Sequence, residues 1–373
     1  MSLRERLTRR LPDMLEDIAE LVGCESPSAD LAAVARSADV LAAVGQRRLG
    51  VPPEKIVLDG HTHLRWRFGS GRPTVLLLGH HDTVWPIGSL RDRPYEVTDG
   101  ILRGPGCFDM KVGVVQALHA VAELDDRNGV TLLVTGDEEL GSPSSRSLIE
   151  QEAAGAAAAL VLEASAARGA LKTARKGMSR YVVHVEGLAA HAGLEPERGI
   201  NAGVEVAHQV LAVLALADPS RGTSVVPTAM SAGSTGNTVP ANGTFVVDVR
   251  VRDIDEQRRV DLALRELRPA VPGTRLSVEG GPNRPPLPPS ASEALYERAA
   301  AAARDIGLPV PGRAAVGGAS DGNLTAGVGT PTLDGLGAVG GGAHADSEHV
   351  VVAEIADRAA LVAALIGALL EQP

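Results

Sequence analysis

Aromatic side chains are scarce in this 373-residue sequence: three phenylalanines, three tyrosines and two tryptophans, 2% in all. With 44% of residues hydrophobic, a core of ordinary size must be assembled from alanine, valine and leucine. Cysteine is limited to Cys24 and Cys107, which excludes a disulfide framework and a cysteine-based zinc knuckle. No apolar run reaches the roughly 18 residues of a membrane-spanning helix. The opening MSLRERLTRRLPDMLEDIAELVG is charged and amphipathic and lacks the apolar centre and small-residue cleavage site of a secretory leader, so the expected location is the cytoplasm. Positive charge is in deficit, with 36 Lys and Arg against 46 Asp and Glu, a net charge of −10. That balance, with no basic stripe interleaved with aromatics, speaks against nucleic acid or an anionic membrane as partner.

Apolar runs and helical patterns alternate along the first half. HLRWRFG (63–69), TVLLLGH (74–80), GVTLLVTG (129–136) and AALVLEA (158–164) read as strands. Helical patterns at 4–22, 29–45, 109–124 and in SSRSLIEQEA separate them. Wholly apolar strands alternating with helices imply a mostly parallel sheet covered on both faces. The pattern changes near Lys176: strand, helix (201–216), two strands, helix (255–267), strand is the order of a ferredoxin-like α+β module. GPNRPPLPPS (281–290) reads as the linker out of it, followed by helices at 291–306 and 352–370. The expected fold is α/β, a mostly parallel-stranded mixed sheet flanked by helices. Residues 1–175 and 287–373 form this domain, and an α+β domain at 176–286 is inserted into it.

The polar motifs sit at the ends of these strands. In GHHDTV (79–84), His80 and Asp82 are two apart and share a side, at the carboxyl end where open α/β sheets place ligands. His80 suits a metal, with Asp82 on its other ring nitrogen. A capped turn is the plainer alternative. Asp109 in GPGCFDMK opens a helix, as an N-cap would. TGDEELGS (135–142) sets three acids together at a strand end, which repel unless cations are near. A solvated acidic turn is the alternative there. Glu163 ends another apolar strand, and His344 lies in the glycine-rich GGGAHADSEH. Together, two histidines and several acids without cysteine suit one or two divalent ions, zinc first. His61 and His63 are expected in solvent before the first strand, and His81 on the side opposite His80.

GHHDTV, GPGCFDMKVG, TGDEELGS, LVLEA, GLAAHAG, GNTVPANGTFVVDVR, GGASDGN and AHADSEH occur in one order over nearly the whole chain. This ordered set resembles the dinuclear zinc M20 metallopeptidases, especially the glutamate carboxypeptidase branch, near the acetylornithine deacetylase and succinyl-diaminopimelate desuccinylase branches. The resemblance implies a zinc-exopeptidase-like fold and two Zn²⁺ per subunit, with Co²⁺ or Mn²⁺ as substitutes. It places His80 and Glu163 on one ion, Glu139 and His344 on the other, Asp109 between them, and a cis peptide after Asp109. Asp82 would orient His80, and Glu138 would be the general base. The inserted domain would mediate a homodimer and send His191 to the partner's site to stabilise an oxyanion. Asn237 and Arg250 would hold the substrate's carboxylate, although Arg250 on its strand can equally pair with Asp248 or Asp253. Gly318 and Ser320 would add backbone or hydroxyl contacts. The implied substrates are small peptides with a free C-terminal carboxylate. N-acyl amino acids and a non-catalytic ligand-binding dimer are the alternatives, and the complete set of metal positions with Glu138 counts against the last.

Overall fold

In the computed structural model, which describes residues 1–71 and 74–371, side chains of the strand Val75–His80 alternate between two separate cores. Val75 and Leu77 enter the larger core, Leu76 and Leu78 the smaller. Val130, Leu132 and Val134 likewise oppose Leu133, and Ala158 and Leu160 oppose Ala159. Successive strand residues point to opposite faces, so strands that are apolar throughout need a cover on each side. Each leucine so buried contributes about 2 kcal/mol relative to exposure. The helices Leu31–Leu49, Val112–Ala122 and Val352–Glu371 cover the larger core, and Arg146–Ala153 and Gly322–Gly327 the smaller.

The sheet has six strands in the order Glu54–Leu58, His61–Arg67, Val130–Thr135, Val75–His80, Ala158–Val161 and Thr332–Leu333. The first two pairings are antiparallel and the remaining three parallel. Val75–His80, Val130–Thr135 and Ala158–Val161 therefore end on one edge, and the segments holding Asp82, Glu138, Glu139 and Glu163 leave from that edge. Among the described residues no helix is long and apolar enough to cross a membrane.

The chain divides into two units. The one just described comprises Met1–Arg175, Leu287–Val316 and Ser320–Pro373; the other comprises Lys176–Pro286 and Gly317–Ala319. The second unit has four antiparallel strands ordered Ser224–Ala232, Asn242–Val251, Gly177–Glu186 and Arg275–Arg284. Its helices are Ala202–Leu214 and Ile254–Arg265, and Tyr181, Phe245, Val247 and Val260 are among the residues of its core. This is the ferredoxin-like arrangement expected from the order of its elements.

Three local readings change. The helix expected over 4–22 is two, Leu3–Arg9 and Leu11–Gly23, the second with Pro12 in its first turn, a position where proline is tolerated because its missing N–H has no helical partner. The linker expected over 281–290 is shorter, because the strand Arg275–Arg284 stays paired with Met178–Arg180 and the next helix begins at Pro289. His63, expected in solvent, is fully buried on the strand His61–Arg67 and accepts the Gly136 N–H at Nδ1, 3.1 Å away.

Candidate metal centre

His80 closes its strand with a buried imidazole. Its Nδ1 lies 3.0 Å from the Asp82 carbonyl oxygen. A carbonyl only accepts, so Nδ1 donates, and a neutral His80 carries its lone pair on Nε2. That Nε2 stands 3.3 Å from Asp109 Oδ1 and 3.7 Å from Glu163 Oε1. Asp109 sits in the distorted turn Cys107–Lys111, with non-helical dihedrals and a cis Asp109–Met110 peptide, and the regular helix begins only at Val112. The cis peptide implied by the resemblance is thus present. Glycine lets this helix close on the Glu163 strand, since a Cβ on Gly113 would lie 2.1 Å from the Leu162 carbonyl oxygen.

The adjacent acids of TGDEELGS diverge. Glu139 Oε1 lies 3.2 Å from His344 Nε2, whereas Glu138 offers an oxygen within 4.8 Å of donor atoms of His80 and Glu163. The Asp82 carboxylate accepts the N–H groups of both glutamates at 3.2 Å and the Ser28 hydroxyl at 2.6 Å. It stands 3.5 Å from His80 Nδ1, so the nearer anchor of His80 is the carbonyl of Asp82 and not its carboxylate. His344 Nε2 is also 3.2 Å from Asp109 Oδ2. The two oxygens of Asp109 therefore sort the histidines: Oδ1 faces His80, which has Glu163 beside it, and Oδ2 faces His344, which has Glu139 beside it, while Glu139 also offers an oxygen within 4.8 Å of donor atoms of His80 and Asp109.

Electrostatics test whether these residues fit a cation. His80 Nε2 and Asp109 Oδ1 are buried without a hydrogen-bond partner among the described residues. A neutral His80 would aim a lone pair at two carboxylates, an arrangement that needs a proton or a metal ion between them. Without metal the proton fills the role. Burial disfavours charge on His80, yet Asp109 and Asp82 raise its pKa well above the ordinary value. Asp109 and Glu139 lift His344 to about 10. Burial would raise Asp109, but the imidazoles of His344 and His80 beside its two oxygens hold it far below the usual carboxylate range. Burial likewise opposes the charge on Asp82, and His80 and Ser28 bring it down to about 2. Nitrogen and carboxylate donors in two sets around one shared carboxylate fit a pair of divalent ions, whose binding would release the histidine protons.

The remaining sequence candidates lie elsewhere. His191, Asn237 and Arg250 belong to the second unit, where the Ala192 N–H donates to the Asn237 carbonyl. His191 Nδ1 accepts the N–H groups of Gly193 and Leu194, both at 3.1 Å. Arg250 is engaged bidentately by Asp248 at 2.8 and 3.0 Å, the alternative its strand position allowed. Gly318 also groups with the second unit, whereas Ser320 belongs to the first. The Ser320 hydroxyl is buried and donates to Asp334 Oδ2 at 2.6 Å. Asp334 is bound by Arg175, which stands 3.3 Å from Glu163. Ser320 thus supports Glu163 from behind.

Several residues around the centre carried no signal in the sequence. Arg175 and Lys172 both face Glu163 Oε2. Lys111 is buried and donates to the Leu21 and Cys24 carbonyls at 2.9 Å, tying the Asp109 turn to a helix C-terminus. Glu348, in AHADSEH, is buried against the Asp109 turn. His81 faces away, with Nε2 3.0 Å from the Thr62 carbonyl oxygen and Nδ1 3.2 Å from Ser37.

Similarity to known proteins extends over nearly the whole chain. The model of Peptidase family M20/M25/M40 matches residues 76–368. Carboxypeptidase G2 of Pseudomonas sp. (strain RS-16) is 30% identical over 98% of this chain and 91% of its own length. Succinyl-diaminopimelate desuccinylase of Rhodospirillum centenum is 27% identical over 94% and 95%. Among solved structures, the M20 family metallo-carboxypeptidase Sso-CP2 from Sulfolobus solfataricus superposes with a TM-score of 0.76 at 16% identity, covering 95% of this chain and 98% of that one. Aminopeptidase PepT from Bacillus cereus gives 0.72 at 22% identity, covering 98% and 99%. At these identities the two structures speak for the fold alone.

Proposed function

Because the chain belongs to peptidase family M20/M25/M40, whose members are metal-dependent hydrolases, we propose that it cleaves an amide bond beside a free carboxylate and releases a C-terminal amino acid, as a glutamate carboxypeptidase does. The observation that carries the hydrolytic reading is that the two oxygens of Asp109 face two histidines, His80 with Glu163 beside it and His344 with Glu139 beside it. The near full-length similarity to carboxypeptidase G2 supports the substrate class. The similarity to the desuccinylase supports a second reading, removal of an acyl group from an N-acyl amino acid.

His80 and Glu163 would hold one ion and Glu139 and His344 the other, with Asp109 shared. Zinc is the first choice for these donors, and cobalt or manganese fit as well. When bound, such a pair supplies Lewis acidity for the scissile carbonyl and lowers the pKa of water. Glu138 takes the proton from the attacking water and delivers it to the leaving nitrogen. Asp82 holds the turn that keeps Glu138 and Glu139 apart. Because His191 Nδ1 accepts two N–H groups, its Nε2 carries the proton in the neutral form and donates to a developing oxyanion. Arg250 and Asn237 receive the substrate carboxylate, Arg250 exchanging Asp248 for it, and the Gly318 backbone would add a contact to the substrate.

Asn237 and Arg250 do not suit one site in one chain. Asn237 precedes Asn242, at one end of the strand Asn242–Val251, and Arg250 lies eight residues further on, about 26 Å of extended chain. A dipeptide spans roughly 7 Å. A homodimer resolves this if His191 and Asn237 complete the partner's site. Exposed apolar residues support it: Val204, Leu211 and Leu214 on the helix Ala202–Leu214, and Val226 and Met230 on the edge strand Ser224–Ala232.

The test is a panel of dipeptides and N-acyl amino acids given to the zinc-loaded protein and read by mass spectrometry. Release of C-terminal amino acids supports the first reading, acyl release alone the second, and no turnover of any member rejects both. The dimer has its own test. Inactive His191→Ala and Glu138→Ala chains, mixed and allowed to exchange subunits, should regain about a quarter of wild-type activity, because half the dimers are hybrids with one complete site of two. A mixture that stays inactive rejects action of His191 on a partner's site.

A further inference from the structure

Glu348 is a buried carboxylate, 4% exposed, with four hydrogen bonds. Its Oε2 accepts the Trp85 indole N–H at 2.7 Å and the Gly106 N–H at 3.0 Å. Its Oε1 accepts the N–H groups of Phe108 at 2.9 Å and Asp109 at 3.1 Å. All four partners are donors, two on each oxygen, so only a group with two accepting oxygens satisfies them. Three segments meet there. Trp85 follows the strand that ends in His80; Gly106, Phe108 and Asp109 form the turn that carries the shared carboxylate; and Glu348 itself lies four residues beyond His344.

The segment between His344 and Glu348 is short and internally closed, with the Ala345 N–H donating to Gly342 and the Glu348 N–H to Ala345, each at 2.9 Å. The strand His349–Val351 then pairs with Ile101–Arg103, which leads into the Asp109 turn. A second tie runs alongside, because Arg93 stacks over the Trp85 ring at 4.6 Å and pairs with Asp346. His344 is half-exposed, holds a positive φ of 60°, and meets Asp109 and Glu139 through its Nε2 at 3.2 Å. The distance between Asp109 and His344 is set where both segments attach to Glu348.

We infer that Glu348 is a positioning residue for the metal centre: through its hydrogen bonds to the Asp109 turn it holds Asp109 Oδ2 against His344 and so builds the half of the site that the His344 loop supplies. This rests on the metal-centre reading above. It concerns a residue outside the set proposed to hold the ions.

The experiment measures zinc affinity of the full-length chain by competition with a chromophoric chelator, with no substrate present. Glu348→Gln keeps the size but turns an amide NH₂ toward two of the donors, and it should weaken binding of at least one zinc by tenfold or more. Glu348→Ala should weaken it further. Glu205→Gln is the matched control. Glu205 is also buried and accepts the N–H groups of Ala270 and Val271 and the Gln209 amide, but in the second unit. It should lower thermal stability and leave zinc affinity unchanged, which separates positioning from general loss of stability. If neither Glu348 variant folds, Trp85→Phe decides, since it removes one donor and keeps a ring for Arg93. A loss of about threefold supports the inference, and wild-type affinity overturns it. Folded Glu348 variants that bind zinc as tightly as wild type overturn it alone. A wild-type chain that takes up no zinc overturns the metal reading and this inference with it.

Discussion

Replacing Glu138 by glutamine is expected to lower kcat by about 10³-fold while the chain keeps its full metal content. Glutamine preserves size and hydrogen bonding but cannot take a proton from water, so the loss falls on the transition state, where the proton moves, and KM changes little. The neighbouring Glu139 gives the contrast. Its carboxylate is committed to His344, so Glu139→Gln should reduce bound metal as well as turnover. Steady-state kinetics beside metal analysis of both variants reads the difference. A Glu138→Gln enzyme within tenfold of wild type would remove Glu138 from proton transfer. Loss of metal from that variant would instead make it a ligand, an assignment that its closeness to His80 and Glu163 makes worth testing.

Much of this centre is legible because it sits where sequence patterns are strongest. An apolar strand has a definite end, and a polar residue at that end has few reasons to be there. His80, the acids of TGDEELGS and Glu163 all stand out in this way. Alternation within GHHDTV also assigns His81 to the far side, where it meets Thr62 and Ser37. Legibility fails where a residue acts through the main chain of another segment. Glu348 binds three N–H groups at positions 106, 108 and 109, and any residue type can supply an N–H, so no partner motif marks it. The neighbouring His349 has a side chain with chemistry of its own, yet its Nδ1 lies 2.8 Å from the Ser347 carbonyl oxygen, two residues away. His63 escapes for a related reason: Gly136, just past the strand Val130–Thr135, and Ser144, before the helix Arg146–Ala153, satisfy it, and both reach it only in the folded chain. Arg250 shows the limit from the other side. Two positions apart on a strand, Asp248 and Arg250 face the same way and pair, and a motif alone cannot say whether a substrate displaces that bond.

The largest effect should come from Asp109→Asn. One of its oxygens becomes an NH₂ that cannot accept, so the variant can no longer face both donor sets with carboxylate oxygen. It is expected to hold no more than one ion, and turnover should fall by at least about 10⁴-fold. The same substitution leaves a signature without metal. His344 is lifted from 6.5 to about 10 first by its hydrogen bond to Asp109 and next by Glu139. A histidine whose pKa is higher folded than unfolded adds stability that is complete below the unfolded value and is lost as pH rises through the folded value. In the metal-free wild-type chain the share of stability that His344 adds should therefore be lost between about pH 6.5 and 10, and Asp109→Asn should reduce that share because it removes the larger of the two carboxylate contributions to His344 and leaves Glu139. Half-exposure of the ring makes the difference modest, so it is best read as a histidine titration by NMR on metal-free protein. A His344 that still titrates near 10 in Asp109→Asn would show that Glu139 alone holds the charge, and the sorting of the site by Asp109 would have to be abandoned.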